Sequence, residues 1–144
     1  DVLGARITHC GSNGMGQTTK LANQIIGLGN LAALCEGLVF AIKAGGNPEA
    51  LMQAFTGGAA NSWMVENLGE KILDGDFLPG FMVDLAQKDL RLVQEAAAEL
   101  QVPLLTTPTV SNLFRAAQQL GAGSDGIQGY VKSLEAIAGI NARR

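Results

Sequence analysis

Fifteen successive uncharged residues, 21–35, constrain the fold of this chain more than any other feature. They lie inside a longer apolar stretch that Gly45 and Gly46 end. At 100° per residue its large apolar side chains surround the helix axis, and they are Ile25, Ile26, Leu28, Leu31, Leu34, Leu38, Val39, Phe40 and Ile42. A helix that is apolar on every side is expected to be buried on every side. The pattern therefore predicts a helix from about residue 15 to residue 44 that forms the centre of the fold or of a dimer, with Ser12 or Asn13 as its N-cap.

Proline, glycine and small polar residues divide the remaining chain into five further helices. They are expected from Asn47-Pro48 to Gly57-Gly58, from Asn61-Ser62 to just before Gly75, from about Met82 to Leu100, from Thr107-Pro108 to Gly121, and from Ser124 or Asp125 to about Ile137. Residues 1–12 alternate weakly in polarity, at Val2, Leu3 and Ile7, and are expected to form one strand and a loop. The predicted fold class is all-α, a bundle of about six helices around one long buried N-terminal helix.

Composition excludes several classes of function. The net charge is −3, from 10 basic and 13 acidic residues, and no basic stripe is present, which argues against nucleic acid as a partner. A single histidine, His9, is too few for a histidine-based metal cluster. No segment reaches the roughly 20 apolar residues of a membrane span. Cys10 and Cys35 lie in apolar sequence and indicate reduced thiols of a cytoplasmic protein. The first residue is not methionine, so we expect a fragment of a longer polypeptide.

Lys20 is the candidate catalytic residue. It lies at the start of the apolar helix, and no acidic residue stands three or four positions away to form a helical ion pair. The positive end of the helix dipole and partial burial would both disfavour its ammonium form, which suits a general acid or base. The alternative is a lysine that extends from an apolar helix into water, and on position alone that is the more common case.

The glycines before this helix invite a phosphate-binding interpretation. Gly11, Gly14 and Gly16 have the spacing GxxGxG, whereas the dinucleotide fingerprint is GxGxxG. The P-loop pattern is also absent, because Lys20 lies four residues beyond the last glycine and no hydroxyl residue follows it. We therefore predict no complete nucleotide-binding site in this chain, and expect the glycines to let the backbone pass close to another surface.

Three motifs in order carry a resemblance to a known family. They are GMGQTTK at residues 14–20 with Asn23 after it, AGGNPE at residues 44–49, and GDFLPGFMVDLAQKDL at residues 75–90. Together they resemble the β-hydroxyacid dehydrogenases, which include 3-hydroxyisobutyrate dehydrogenase and tartronate semialdehyde reductase and whose helical domain is of the 6-phosphogluconate dehydrogenase C-terminal type. The resemblance covers residues 11–139. It implies that residues 13–144 are the C-terminal all-α substrate and dimerisation domain. Residues 1–12 would be the remnant of a preceding Rossmann domain and the connection between domains.

The resemblance also assigns roles to individual residues. Lys20 is implied to donate a proton to the substrate carbonyl oxygen while hydride arrives from NAD or NADP. Asn23 or Gln24 is implied to be the amide that orients Lys20 or the substrate hydroxyl, and we favour Asn23 because its side chain is shorter. The other implied site residues are Lys88 and Phe81 toward the cofactor and Asp89 and Gly16 in the substrate cleft.

Several of these assignments have a structural alternative. Lys88 follows Asp84 by four positions, which is the spacing of an ordinary helical ion pair. Asp89 is equally suited to bracing its helix, and Asn23 to bonding its own backbone or a neighbouring helix. Trp63 and Met64 lie at a helix start, and core packing is the expectation for both.

The whole-chain alternative is a non-enzymatic helical oligomerisation module that keeps the fold. The enzyme interpretation implies a small 3-hydroxy acid or semialdehyde as substrate, the chain's own Rossmann domain as partner, a homo-oligomer, and no activity of this chain alone. A relative of 6-phosphogluconate dehydrogenase ranks below both, because that helical domain is much larger and no basic cluster for a substrate phosphate is present.

Overall fold

The structure, a computed structural model, describes residue 4 and residues 6–144. This part of the chain contains six α-helices, a π-helical turn at Gln118–Ala122 and a 3-10 turn at Ile127–Tyr130. The α-helices are α1 (Met15–Lys43), α2 (Pro48–Gly57), α3 (Trp63–Asp74), α4 (Val83–Glu99), α5 (Thr107–Ala117) and α6 (Val131–Ala138). The all-α fold class is confirmed. The strand predicted near the N-terminus is wrong for residues 6–12, which are irregular, while Val2 and Leu3 lie outside the described residues.

The starts of α2 and α3 are fixed by the side-chain caps that the sequence predicts. Asn47 Oδ1 accepts a hydrogen bond of 2.9 Å from the Ala50 N–H, and Ser62 Oγ accepts one of 3.3 Å from the Val65 N–H. The start of α1 differs from the prediction. Neither Ser12 nor Asn13 caps it with a side chain, because the N-cap is Gly14 in a left-handed conformation with φ of 93°.

The C-terminal third departs from the predicted helix bounds. The α-helical part of α5 ends at Ala117, and α6 begins at Val131 instead of Ser124 or Asp125. The intervening backbone bonds to the first turn of α4 instead of continuing a helix. The Val83 N–H donates to the Asp125 carbonyl at 2.9 Å, and the Asp84 N–H donates to the Gly123 carbonyl at 3.0 Å.

Helix α1 packs against α3, α4 and α6, and Leu31, Cys35 and Leu38 on its inner side are fully buried. The prediction that α1 is buried on all sides is wrong within this chain. Ile26 is 65% exposed and Phe40 is 77% exposed, so the opposite side is uncovered. By length and composition α1 could also cross a membrane, but the core helix of a globular domain meets the same criterion.

A further expectation about burial is wrong. Trp63 is 63% exposed, whereas Met64 next to it packs partly buried against the core. Trp63 is the first residue of α3. Cys10 is exposed and only Cys35 is buried, because Cys10 precedes α1 in the irregular segment.

Candidate active-site cleft

A cleft of about 740 Å³ lies between the start of α1 and the outer side of α4. Both helices contribute predicted site residues to it, namely Gly16, Lys20 and Gln24 from α1 and Asp89 from α4. The remaining lining residues are Gln17, Leu21, Leu92, Glu95, Ala96 and Glu99. The fold therefore brings together residues that are 65 positions apart in the sequence.

Lys20 lies at this cleft with its side chain exposed, so the partial burial expected from the sequence is not present within this chain. Among residues 4 and 6–144, no carboxylate oxygen lies within 4.0 Å of its Nζ atom. The centroid of the Phe81 ring lies 5.9 Å from Lys20 Nζ. This distance is at the outer limit of a cation–π contact, which places the predicted cofactor residue Phe81 beside the predicted catalytic lysine.

Gln24 and Asp89 form the buried connection between the two helices. Gln24 Nε2 donates to Asp89 Oδ2 at 2.7 Å, and the two residues are only 6% and 8% exposed. Lys88 Nζ lies 2.9 Å from Asp89 Oδ1, so both carboxylate oxygens have a partner. A carboxylate this buried is stable only with such partners.

The predicted Lys88–Asp84 ion pair is wrong. Lys88 pairs with its neighbour Asp89, and Asp84 Oδ1 instead accepts a hydrogen bond of 2.6 Å from Gln118 Nε2. The π-helical turn places Gln118 beside the first turn of α4, so that Asp84 bonds Gln118 instead of Lys88. The Asp89 carboxylate therefore links Lys88, the predicted cofactor residue, to Gln24.

The two candidate orienting amides occupy different positions. Gln24 lines the cleft and bonds Asp89, whereas Asn23 is exposed and its Nδ2 donates to Gln24 Oε1 at 3.4 Å. Gln24 is thereby held at both ends of its amide. Among the residues that the structure describes, Asn23 has only this long side-chain hydrogen bond, so its amide is freer to change conformation than that of Gln24.

Residues on the C-terminal half of α4 also line the cleft, and the sequence reasoning missed them. Leu92, Ala96 and Glu99 follow Asp89 at spacings of three or four residues, which puts them on one helix face. This periodicity is visible in the sequence and could have identified them once Asp89 was placed at the site. A second hollow of about 520 Å³ is lined in part by Phe81 and by the exposed Trp63.

Comparison with known proteins bears on the same residues. A family profile described as the NAD-binding domain of NADP-dependent 3-hydroxyisobutyrate dehydrogenase matches residues 14–134, which include Gly16, Lys20 and Asp89. The chain belongs to this family. The resemblance stated from the three motifs is therefore confirmed, and the family description agrees with the expected NAD or NADP cofactor.

Relatives of this 3-hydroxyisobutyrate dehydrogenase-type domain are oxidoreductases. 2-hydroxy-3-oxopropionate reductase of Escherichia coli strain K12 is 41% identical over 138 residues, covering 96% of this chain and 47% of that protein. 2-(hydroxymethyl)glutarate dehydrogenase of Eubacterium barkeri is 34% identical over 141 residues, covering 97% of this chain and 47% of that protein. The chain thus spans about half the length of the curated relatives it matches.

Solved structures show the same fold. The crystal structure of 3-hydroxyisobutyrate dehydrogenase from Salmonella typhimurium superposes with a TM-score of 0.80 at 34% identity, over 83% of this chain and 42% of that one. The Mycobacterium tuberculosis 3-hydroxyisobutyrate dehydrogenase, solved with L-serine, also gives 0.80 at 25% identity, over 90% of this chain and 46% of that one. The helical bundle is therefore the family's helical domain.

Proposed function

We propose that this chain is the helical half of an NAD(P)-dependent 3-hydroxyacid dehydrogenase or semialdehyde reductase, acting on 3-hydroxyisobutyrate, tartronate semialdehyde or a similar small acid. The observation that carries the proposal is the position of Lys20, whose ammonium group has no carboxylate within 4.0 Å in the described part of the chain and lies at a cleft of a dehydrogenase-family domain. The names of the relatives support the substrate class, because both describe a redox change on a small hydroxy or oxo acid.

Lys20 performs the proton chemistry in this proposal. When bound, the nicotinamide cofactor supplies or accepts hydride at the substrate carbon. Lys20 Nζ donates a proton to the carbonyl oxygen as negative charge develops there, and the ammonium stabilises that charge. In the direction of oxidation the amine takes the proton from the substrate hydroxyl.

The surrounding network positions this lysine. Asn23 or Gln24 provides the amide that orients Lys20 or the substrate hydroxyl, one turn further along α1. Asp89 holds Gln24 on one oxygen and Lys88 on the other, and so keeps Lys88 at the edge of the cleft where the cofactor is proposed to lie.

The charges around the cleft suit the nicotinamide end of a cofactor better than its phosphates. Asp89 and Glu95 are each paired with a cation, at 2.9 Å and 2.6 Å respectively, which leaves Lys20 and Glu99 to balance one another. Gly16 adds no side chain there, and a Cβ atom at this position would meet nothing within 4 Å. We propose that the cofactor phosphates are bound by a preceding Rossmann domain, to which residues 1–12 connect.

Several properties of the whole protein belong to the same proposal. Turnover requires the preceding domain, so this chain alone is inactive, and residues 13–144 serve both the substrate and assembly into a homo-oligomer. We place the enzyme in the cytoplasm, where its cofactor pool and reduced thiols are found.

The test is hydride transfer by the full-length parent protein, assayed with NADH and NADPH against a panel of C3–C4 semialdehydes. Lys20→Ala should lower kcat by about 10²–10⁴-fold. Lys43→Ala is the matched control, because it removes an exposed lysine from the other end of the same helix. A Lys20→Ala enzyme that keeps its turnover would refute the role of Lys20.

The second candidate is a non-enzymatic oligomerisation module, which the uncovered side of α1 favours. A folded parent protein with no activity toward the panel with either cofactor, and with an unrelated domain before residue 12, would support this alternative. Lys20 would then be an ordinary solvated lysine.

A further inference from the structure

The segment between α3 and α4 carries Phe81 to its position beside Lys20. We call residues 75–81 the site loop. They form neither a helix nor a strand, and the ring at the end of the loop has its centroid 5.9 Å from Lys20 Nζ. Because no regular ladder of hydrogen bonds fixes this loop from within, the contacts that it receives from other segments determine where Phe81 lies.

Backbone groups of a segment that follows much later in the chain bind two points of the site loop. The Gly126 N–H donates to the Phe77 carbonyl at 2.8 Å, and the Ile127 N–H donates to the Phe81 carbonyl at 2.8 Å. These bonds set the register of the two segments. They leave the backbone between Phe77 and Phe81 to be fixed by a side chain.

Gln128 supplies that side chain. Its Nε2 atom donates to the Asp76 carbonyl at 2.9 Å and to the Leu78 carbonyl at 3.3 Å. Gln128 is only 2% exposed, so water competes little for these bonds. Both acceptors are carbonyl oxygens, which fixes the orientation of the amide with its N–H groups toward the loop.

The absence of a side chain at Gly126 makes room for the Gln128 amide. A Cβ atom at Gly126 would lie only 2.7 Å from Gln128 Nε2. The φ angle of Gly126 is −59°, which any residue can adopt, so the position requires glycine for space and not for its backbone conformation.

The other restraints on the site loop are weaker. Lys71 Nζ lies 3.4 Å from Asp76 Oδ2, but these side chains are 45% and 37% exposed, and such surface pairs contribute little. Lys132 Nζ lies 4.3 Å from the centroid of the Phe77 ring and so contacts a side chain of the loop, not its backbone. Among the residues that the structure describes, Gln128 is the one buried residue outside the loop whose side chain hydrogen-bonds it.

We propose that Gln128 is a positioning residue of the candidate active site, which acts through the site loop to keep Phe81 beside Lys20. This inference rests on the proposed dehydrogenase or reductase function. The hydrogen bonds of Gln128 go to the loop and not to Lys20, so the proton chemistry survives when Gln128 is replaced. Substrate binding weakens instead, because Phe81 lies next to the ammonium group that meets the substrate carbonyl.

The first test compares Gln128→Met with Gln94→Met in the full-length parent protein, assayed with the same semialdehyde panel. Methionine keeps the length of the side chain and removes the amide. Gln94 is the matched control, because its Nε2 also donates two hydrogen bonds, to the Leu90 carbonyl at 3.1 Å and to Ser111 Oγ at 3.3 Å, away from the loop. Gln128→Met should raise KM for the semialdehyde about tenfold and change kcat by about twofold or less. Gln94→Met should leave both constants unchanged.

A merely structural role gives the opposite division between the two constants. If Gln128→Met only lowers the fraction of folded enzyme, the apparent kcat falls and KM keeps its wild-type value, and this outcome would overturn the proposal. Gly126→Ala is the second variant, because its Cβ atom displaces the Gln128 amide without removing it, and it should also raise KM. If circular dichroism shows that Gln128→Met is unfolded, KM of Gly126→Ala decides by the same criterion.

The single tryptophan separates failure of this inference from failure of the proposed function. Trp63 lines the hollow of about 520 Å³ together with Leu78, Phe81 and Gln128, so movement of the site loop changes its surroundings. Acrylamide should quench Trp63 fluorescence more strongly in Gln128→Met than in the wild type or in Gln94→Met. An inactive wild-type parent would refute the proposed function, whereas unchanged quenching in folded Gln128→Met would refute the role of Gln128 whether or not the parent is active.

Discussion

At the scale of single residues, Asp89 joins the candidate site to the packing of the two longest helices. One carboxylate oxygen accepts from Gln24 on α1 and the other pairs with Lys88 on α4. Gln24 and Asp89 are both more than nine-tenths buried even though they line the cleft, so loss of the carboxylate would leave the Gln24 amide without its partner where little water reaches it. The same residue therefore affects stability and site geometry.

We expect Asp89→Ala to lower the free energy of unfolding by about 1–3 kcal/mol, because it leaves a buried amide unpaired. Urea denaturation measures this loss. Glu95→Ala is the control, since Glu95 forms only an exposed helical ion pair with Arg91 and its removal should cost about 0.5 kcal/mol or less. Equal losses in the two variants would show that the Gln24–Asp89 hydrogen bond stabilises the fold no more than an exposed ion pair does.

Cys35 and Tyr130 make the stability of the chain sensitive to high pH. Both side chains are fully buried, and burial is the main cause that raises the pKa of each above its ordinary value, with Glu36 adding to both. The neutral forms are favoured in the folded state. The resulting stability is complete below the unfolded pKa values of 9.0 and 10.0, and it is lost as the pH rises above them, because the unfolded chain ionises first.

We therefore expect the free energy of unfolding to fall above pH 9, by about 1.4 kcal/mol per pH unit for each group that ionises only when unfolded. Urea titrations at fixed ionic strength between pH 7 and pH 11 measure the slope. The double variant Cys35→Ala with Tyr130→Phe should lose most of this pH dependence. If the free energy of unfolding of that variant falls as steeply with pH, other groups must cause the pH dependence.

Tyr130→Phe has a separate expected outcome at neutral pH. The Tyr130 hydroxyl is buried and has no hydrogen-bond partner among the described residues. Because removing an unpaired polar group relieves its desolvation, Tyr130→Phe should leave the melting temperature unchanged or raise it. A clear loss, on the order of 1 kcal/mol or more, would indicate that a bound water satisfies the hydroxyl.

At the scale of single elements, α2 shows how much a helix start depends on one cap. Its N-cap, Asn47, accepts from the Ala50 N–H, and Pro48 occupies the first helical position. Both features were predicted from the sequence. The end of α4 was also predicted, at about Leu100, and the helix ends at Glu99 with Leu100 as its C-cap. The sequence did not indicate the left-handed conformation of Gln101, with φ of 56°, which is usually left to glycine or asparagine.

Asn47→Ala should lower the free energy of unfolding by about 1 kcal/mol, since it removes the cap of α2 and leaves an N–H group at the helix end unpaired. Thermal unfolding followed by circular dichroism measures the change. Asn47→Asp keeps an acceptor oxygen and should be close to wild type, whereas a loss as large as that of alanine would argue against the capping bond.

At the scale of the whole molecule, the inner side of α1 is the common packing surface for α3, α4 and α6. Leu38 lies fully buried in it. We expect Leu38→Ala to cost about 2–5 kcal/mol through lost contacts and the cavity it leaves. Ile137→Ala, at a residue 72% exposed, should change stability by about 0.5 kcal/mol or less, and denaturant unfolding compares the two. Similar losses would mean that the core is not centred on α1.

The sequence predicted the helices better than their contacts, for a physical reason. Caps and glycine stops act within a few residues, so the starts of α2 and α3 were predictable. The turns between α5 and α6 depend on hydrogen bonds to the distant first turn of α4, and local pattern could not predict them. The same difference between local pattern and distant contacts applies to the candidate site. Motifs selected Lys20 and Asp89, but the pairing of Asp89 with Gln24 depends on which faces of two helices meet.

The different exposure of the two cysteines has a practical consequence. Cys10 is exposed in the segment before α1, ten residues from Lys20, while Cys35 is sealed inside the bundle. A maleimide dye will therefore attach to the folded chain at one place without any engineered cysteine. In the proposed two-domain enzyme such a dye would sit next to the connection between the domains. Its fluorescence could then report how the two halves move when cofactor and substrate are added.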